Sequence, residues 1–183
     1  MSESDATYLD TFPNWLRSLG TDAQDLGDVL AAPGVPEDAL QSIAGGLNYL
    51  FKSLDLIPDG IDDIGYLDDA FVLRVAASLA LEEDLGAVDK DHVANVSRLG
   101  SEAATVKAFL GNDYDRLVAY VRGLRNGAAR GRSVDDILRD EAVRGEFLGD
   151  VRGFAKTYES PAFAREEKNL IKLRAFFNEK LPK

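Results

Sequence analysis

Leu67-Asp68-Asp69-Ala70-Phe71-Val72-Leu73-Arg74-Val75-Ala76-Ala77-Ser78-Leu79-Ala80-Leu81 decides the fold. Its apolar residues Ala70, Phe71, Val72, Leu73, Val75, Leu79 and Ala80 surround a helical axis instead of striping one side of it, as in a helix packed against neighbours on several faces. A central helix over 67–82 is therefore expected, with Phe71, Val75 and Leu79 nearly inaccessible to water. The most apolar run of the chain, Ala70 to Leu81, contains Arg74 and falls well short of the roughly 20 apolar residues of a membrane span. No membrane span is expected.

Outward from this helix, the periodicity is helical almost everywhere. Leu40, Ile43, Leu47, Leu50 and Leu54 step by three and four along a helix 36–54 that opens near Pro36, and Gly45-Gly46 within it suits close helix packing. Val106, Leu110, Leu117, Val121 and Leu124 share a stripe that Gly111-Asn112 is expected to break, with Asp113 near the new N-terminus. Ser133 reads as an N-cap followed by acids in the first turn. Two long helices follow, one on Phe147, Val151, Phe154 and Tyr158, the other, after Ser160-Pro161, on Phe163, Leu170, Leu173, Phe177 and Leu181. Near the start, Phe12, Trp15, Leu16 and Leu19 predict a short helix ended by Gly20, with a second to about Ala31. No run alternates as a strand would, and 126–132 reads as a loop. The expectation is an all-α fold: a single compact domain over 1–183 of about seven to nine helices around helix 67–82, with a helical hairpin at 36–82 and C-terminal helices over 101–183.

The chain has 183 residues, 45% hydrophobic and 29% charged, with no cysteine and a net charge of -11. That excludes a disulfide framework, a thiolate metal site and a Cys nucleophile, and argues against nucleic acid as partner. The acidic start Met1-Ser2-Glu3-Ser4-Asp5 lacks the order of a signal peptide, so a cytoplasmic location is expected. The charge is uneven. Residues 1–100 hold five basic and 19 acidic groups, a net of -14, against +3 for the rest. The halves are suited to attract one another, within a molecule or between copies.

The segment from Tyr49 to Ala70 contains Asp55-Leu56-Ile57-Pro58-Asp59 and Ile64-Gly65-Tyr66-Leu67-Asp68-Asp69 ahead of the apolar helix. In this it resembles the YkvA-like family, a bacterial domain of unknown function, over about residues 40–82. The family usually carries apolar residues or proline where Gly60, Asp62 and Asp63 stand, and its members often adjoin transmembrane helices. The resemblance implies a helical hairpin with a structured turn and supplies no reaction.

Physically, the same residues describe a helix-loop-helix connection. Pro58 disfavours helical geometry at Ile57, so the first helix is expected to end just before it. Ile57, Ile61 and Ile64 are suited to plug the hairpin, and Asp68 and Asp69 to occupy the first turn of the core helix, where carboxylates are stabilised. The rival reading takes Asp59, Asp62, Asp63, Asp68 and Asp69, with Asp55, as oxygen ligands for Mg2+ or Ca2+ in a metal-dependent hydrolase or phosphoryl-transfer enzyme. Their spacing follows no EF-hand, and a DDxxD motif is broken by Tyr66.

Elsewhere the chemistry is sparse. His92, the only histidine, has no nucleophile motif to accompany it and reads as a helix-start residue. Arg116, Arg122, Arg125, Arg130 and Arg132 read as a solvated face leaning on the acidic half. The functional expectation is a non-catalytic helical interaction protein, a regulator or inhibitor without a cofactor, whose acids Asp55, Asp59, Asp62, Asp63, Asp68, Asp69, Glu82, Glu83 and Asp84 form a face for a basic protein partner. Self-association and a peripheral membrane role stay open as alternatives.

Overall fold

The computed structural model describes every residue except Leu54, Asp59, Asp62 and Asp63. Among the described residues there are eight α-helices, two single 3-10 turns and one minimal hairpin. Helix α1 spans Glu3–Leu30, α2 Glu37–Tyr49, α3 Leu67–Ala80 and α4 Lys90–Leu110; α5 covers Tyr114–Gly123, α6 Val134–Arg139, α7 Glu141–Thr157 and α8 Glu167–Lys180. The fold is all-α, as the periodicity predicts.

Helix α3 is the centre. Every residue in it except Ser78 is buried, and α1, α2, α4 and α5 pack around it. Phe71 organises the deepest contacts: its ring stacks on Phe177 of α8 at 5.1 Å and meets Phe12 of α1 edge-on at 5.2 Å and Phe109 of α4 at 5.9 Å. Residues more than a hundred positions apart thus share one cluster, which is how a chain of short amphipathic helices removes its apolar faces from water.

Three expectations are corrected. The N-terminal region is one helix of 28 residues instead of two broken at Gly20. Its apolar face, Leu9, Phe12, Leu16, Leu19, Ala23, Leu26 and Leu30, continues unbroken across the glycine. Gly20 serves approach: a Cβ there would lie 3.2 Å from the Ala155 carbonyl oxygen of α7. Helix α2 ends at Tyr49, well short of Pro58, because Leu50, Phe51 and Lys52 turn back onto the carbonyls of Leu47, Asn48 and Tyr49. Leu54, the last member of the expected stripe, lies outside the described residues. Finally, the 126–132 loop carries a two-residue ladder, β1 Ala128–Ala129 against β2 Arg132–Ser133. Its turn residues Arg130 and Gly131 both have positive φ, which matches strand twist, and strands this short leave no periodicity to read.

The last helix begins later than its stripe implies: α8 starts at Glu167, and Phe163 precedes it. The boundaries at Gly111 and Ser133 and the close packing at Gly46 hold. Gly111, at φ 57, separates α4 from a 3-10 turn and α5, and Ser133 forms a reciprocal capping box with Asp136. Gly46 faces Ala76 of α3 where a Cβ would come within 2.6 Å, so α2 and α3 approach through it. His92 sits in the first turn of α4, which starts at Lys90 and so straddles the expected boundary at 101.

The charge asymmetry is partly consumed inside the molecule. Acids of the first hundred residues pair with later arginines: Asp5 with Arg174, Asp10 with Arg165, Glu37 with Arg139, Asp38 with Arg125 and Glu82 with Arg122. Exposed pairs of this kind are worth only about 0 to 1 kcal/mol each. Their effect is to pin chain segments in register.

Candidate functional site

The connection between α2 and α3 is held by a polar knot. Tyr49, the last residue of α2, is fully buried and donates its hydroxyl to Asp68 Oδ2 at 2.6 Å, while accepting the Leu56 amide at 2.7 Å. Asp68 Oδ2 also accepts the Ile57 amide at 3.2 Å. Two loop amides that would otherwise be buried without partners are thereby satisfied, and Leu56, Ile57 and Ile64 pack inward, with Ile61 half-buried. Burial, then the charges of Asp68 and Asp69, push the Tyr49 hydroxyl far above its ordinary pKa, so it stays a proton donor.

Asp68 and Asp69 are 0% and 3% exposed. This corrects their place on an exposed acidic face: both are interior groups in the first turn of α3. Tyr66 occupies the N-cap in a left-handed conformation, φ 69, with no side-chain cap bond, and its ring meets Tyr158 edge-on at 5.3 Å.

Of the other expected site residues, Asp55 is half-buried, Glu82 and Asp84 are exposed and Glu83 is half-buried. Asp59, Asp62 and Asp63 lie outside the described residues. The expected face is also divided, since the loop before α3 and the turn after it are separated by the helix itself, about 21 Å for 14 residues. Among the described residues no group of three or more His, Cys, Asp or Glu side chains is placed to hold a metal ion. Asp68 Oδ2 is already shared by two donors.

Next to the knot stand Tyr120 of α5 and Lys52. The Tyr120 ring meets Tyr49 edge-on at 6.1 Å, and Lys52 Nζ donates to the Tyr120 hydroxyl at 3.3 Å. Burial first, then the charges of Asp68, Asp55 and Asp69, push the Tyr120 hydroxyl up to about 12.

A second polar centre escaped the sequence reading. Arg74, 0% exposed in the middle of α3, reaches Asp22 of α1 at 3.2 Å and Glu102 of α4 at 2.7 Å, donates to the Ala70 carbonyl, and lies 4.1 Å from the centre of the Trp15 ring. Asp22 in turn accepts from Arg98 at 2.9 Å and Ser18 at 2.8 Å. Burial lowers the Arg74 pKa while Asp22 and Glu102 oppose the shift. The signal was present: an arginine with apolar residues on every side needs a buried carboxylate. Which carboxylate depends on packing.

The arginines after α4 are likewise engaged. Arg116 bonds to Asp113 and to the carbonyls of Asn178 and Leu181, Arg125 to Gln41 and Ser42 of α2, and Arg132 to Asp150 at 2.7 Å. Arg130 lies over the Phe51 ring at 4.7 Å.

The geometry defines a helical-hairpin module with an internally hydrogen-bonded turn, wrapped by additional helices. Residues 39–74, from within α2 to the middle of α3, match the family DUF1232, a protein of unknown function. The match bears out the resemblance over the motif region. No curated protein and no solved structure matches the chain. No helix among the described residues is long and apolar enough to cross a membrane.

Proposed function

We propose that the chain is a non-catalytic helical interaction protein, a regulator or inhibitor, that engages a protein partner bearing a basic surface. The observation that carries this reading is the burial of Asp68 and Asp69: the described carboxylates that head α3 are interior and Asp68 holds the turn, so the motif acts as scaffold. What remains for recognition is surface. With Glu82 paired to Arg122, the turn from α3 to α4 offers Glu83, Asp84, Asp89 and Asp91 within nine positions, against Lys90 in the same stretch. Asp84 and Asp89 each accept one amide of their own turn, at 2.9 and 3.0 Å, which fixes their orientation. A fixed acidic turn steers basic surfaces and sets register more than it adds affinity.

The test is isolation of the native partner from cells, followed by association kinetics across salt. The screening length contracts from about 10 Å at 0.1 M to about 3 Å at 1 M salt, so the on-rate should fall steeply. Charge reversal at Glu83 and Asp84 should lower it further while the fold is retained, the Asp84 change removing only the bond to the Gly86 amide. An on-rate indifferent to salt and to both reversals would overturn the reading.

A further inference from the structure

A groove of about 590 Å3 is lined by Arg116, Ala119, Tyr120 and Gly123 of helix α5, by Leu124 and Gly127 beyond the helix, by Pro182 and Lys183, and by Lys52. The volume lies in the range of small-molecule sites, about 300 to 1,000 Å3. Lys52 is half-buried, and among the described residues it forms no ion pair; its hydrogen bond goes to the Tyr120 hydroxyl. The Tyr120 oxygen accepts that bond, which leaves the hydroxyl proton without an acceptor among the described residues. An ammonium and a hydroxyl thus stand side by side with donors to spare, at the edge of a groove whose walls include Ala119, Leu124 and Pro182.

We propose that this groove binds a small organic monocarboxylate, the carboxylate held by Lys52 and Tyr120 and an aryl or short alkyl body lying on Ala119, Leu124 and Pro182. The charge pattern selects the class. Lys52, Arg116 and Lys183 line the groove against Asp115 alone, so the mouth favours an anion in a protein that is otherwise acidic. Arg116 is already tied to Asp113 at 2.6 Å, which leaves Lys52 as the principal counterion for the ligand. Asp55, Asp68 and Asp69, whose charges are felt at Tyr120, do not line the groove; their field opposes every negative charge on the ligand, so one charge that Lys52 can offset is favoured over two. A carboxylate is therefore preferred to inorganic phosphate. This site is independent of the acidic turn and of any protein partner.

The experiment is an amide-resonance titration of the full chain with benzoate and with hexanoate, compared with hexylamine and inorganic phosphate at matched ionic strength. Either carboxylate should give saturable shifts centred on Tyr120, Gly123, Leu124 and Gly127. Lys52→Met should weaken that binding at least about tenfold, the loss of a charge-assisted hydrogen bond. Tyr120→Phe, which keeps the ring packing, should weaken it several-fold, while Lys156→Met on the exposed side of α7 should leave it unchanged. Absence of saturable shifts with both carboxylates would overturn the proposal. So would equal binding of phosphate or hexylamine, an affinity unaltered in both groove variants, or a loss in Lys156→Met as large as in Lys52→Met.

Discussion

Replacing Arg74 by methionine removes the guanidinium from the centre of α3 while keeping most of the side chain's length. Asp22, 1% exposed, would lose one of its two arginines and keep Arg98, whose side chain is 42% exposed. Glu102, more open at 28%, would lose its 2.7 Å bond but can turn toward water. Removing one member of a buried ion pair costs about 3 to 5 kcal/mol, because the remaining charge stays desolvated. The surviving Arg98 bond places the value near the lower end, and the lost contact with the Trp15 face adds about 0.5 to 2 kcal/mol. A total near 4 kcal/mol corresponds to a melting point lower by about 8 to 16 °C in a chain of this size. Urea unfolding followed by the emission of Trp15, the only tryptophan, measures it directly. The decisive comparison is the double variant Arg74→Met/Asp22→Leu, which removes both buried charges and should be more stable than Arg74→Met alone. A single-variant cost below about 1 kcal/mol, or a double variant less stable than the single, would refute the reasoning that an unpaired buried carboxylate sets the penalty.

Tyr49→Phe deletes the hydroxyl that joins Asp68 to the Leu56 amide, and leaving two buried groups short of a partner should cost about 1 to 3 kcal/mol in chemical denaturation. Gly145, Gly149 and Gly153 sit within α7 where an added Cβ would meet no atom closer than 3.9 Å, so each Gly→Ala should raise stability by about 0.5 to 1 kcal/mol, read as a higher denaturation midpoint with unchanged slope. The hydrogen bond and charge of Arg165 hold the Asp10 carboxyl below its ordinary pKa. Its contribution is therefore complete above the ordinary aspartate range and is lost as pH falls through the lowered folded value. In a carboxyl-carbon titration, Arg165→Gln should return the Asp10 midpoint to the ordinary value, and an unmoved midpoint would show that Arg165 is not the cause.

What was legible in the sequence was whatever rests on local periodicity. The all-round apolar run from Ala70 to Ala80 announces a helix with neighbours on every side, and Phe71 and Val75 are fully buried as expected. Gly111 and Ser133 mark their boundaries by rules that need no tertiary contact. What failed depends on partners distant in the chain. Gly20 reads as a stop until Ala155 is seen against it, and the 36–54 stripe does not show that Leu50, Phe51 and Lys52 turn back onto the end of α2 while Tyr49 bonds a carboxylate 19 residues later. Asp68 and Asp69 look like solvent-facing first-turn acids because a sequence shows their proximity to the helix start but not the helices that cover them. The groove at Lys52 was invisible for the same reason, since its walls come from residues 52, 115–127 and 182–183.

Tyr66 has a consequence for the hairpin as a transplantable part. Its left-handed backbone turns the chain into α3 while its ring is seated against Phe154 and Tyr158, the first within α7 and the second at its end. The segment matching DUF1232 thus brings a strained corner and an apolar rod, but not the casing that holds either in place; here α1, α4, α7 and α8 supply it. Cut out alone, residues 39–74 would expose Phe71 and the α2 face to water with too little buried area to offset the chain entropy. Any polypeptide carrying the same hairpin must therefore furnish a lining of its own, from flanking helices, from a second subunit or from lipid, and the chemistry of that lining is free to differ while the corner stays the same.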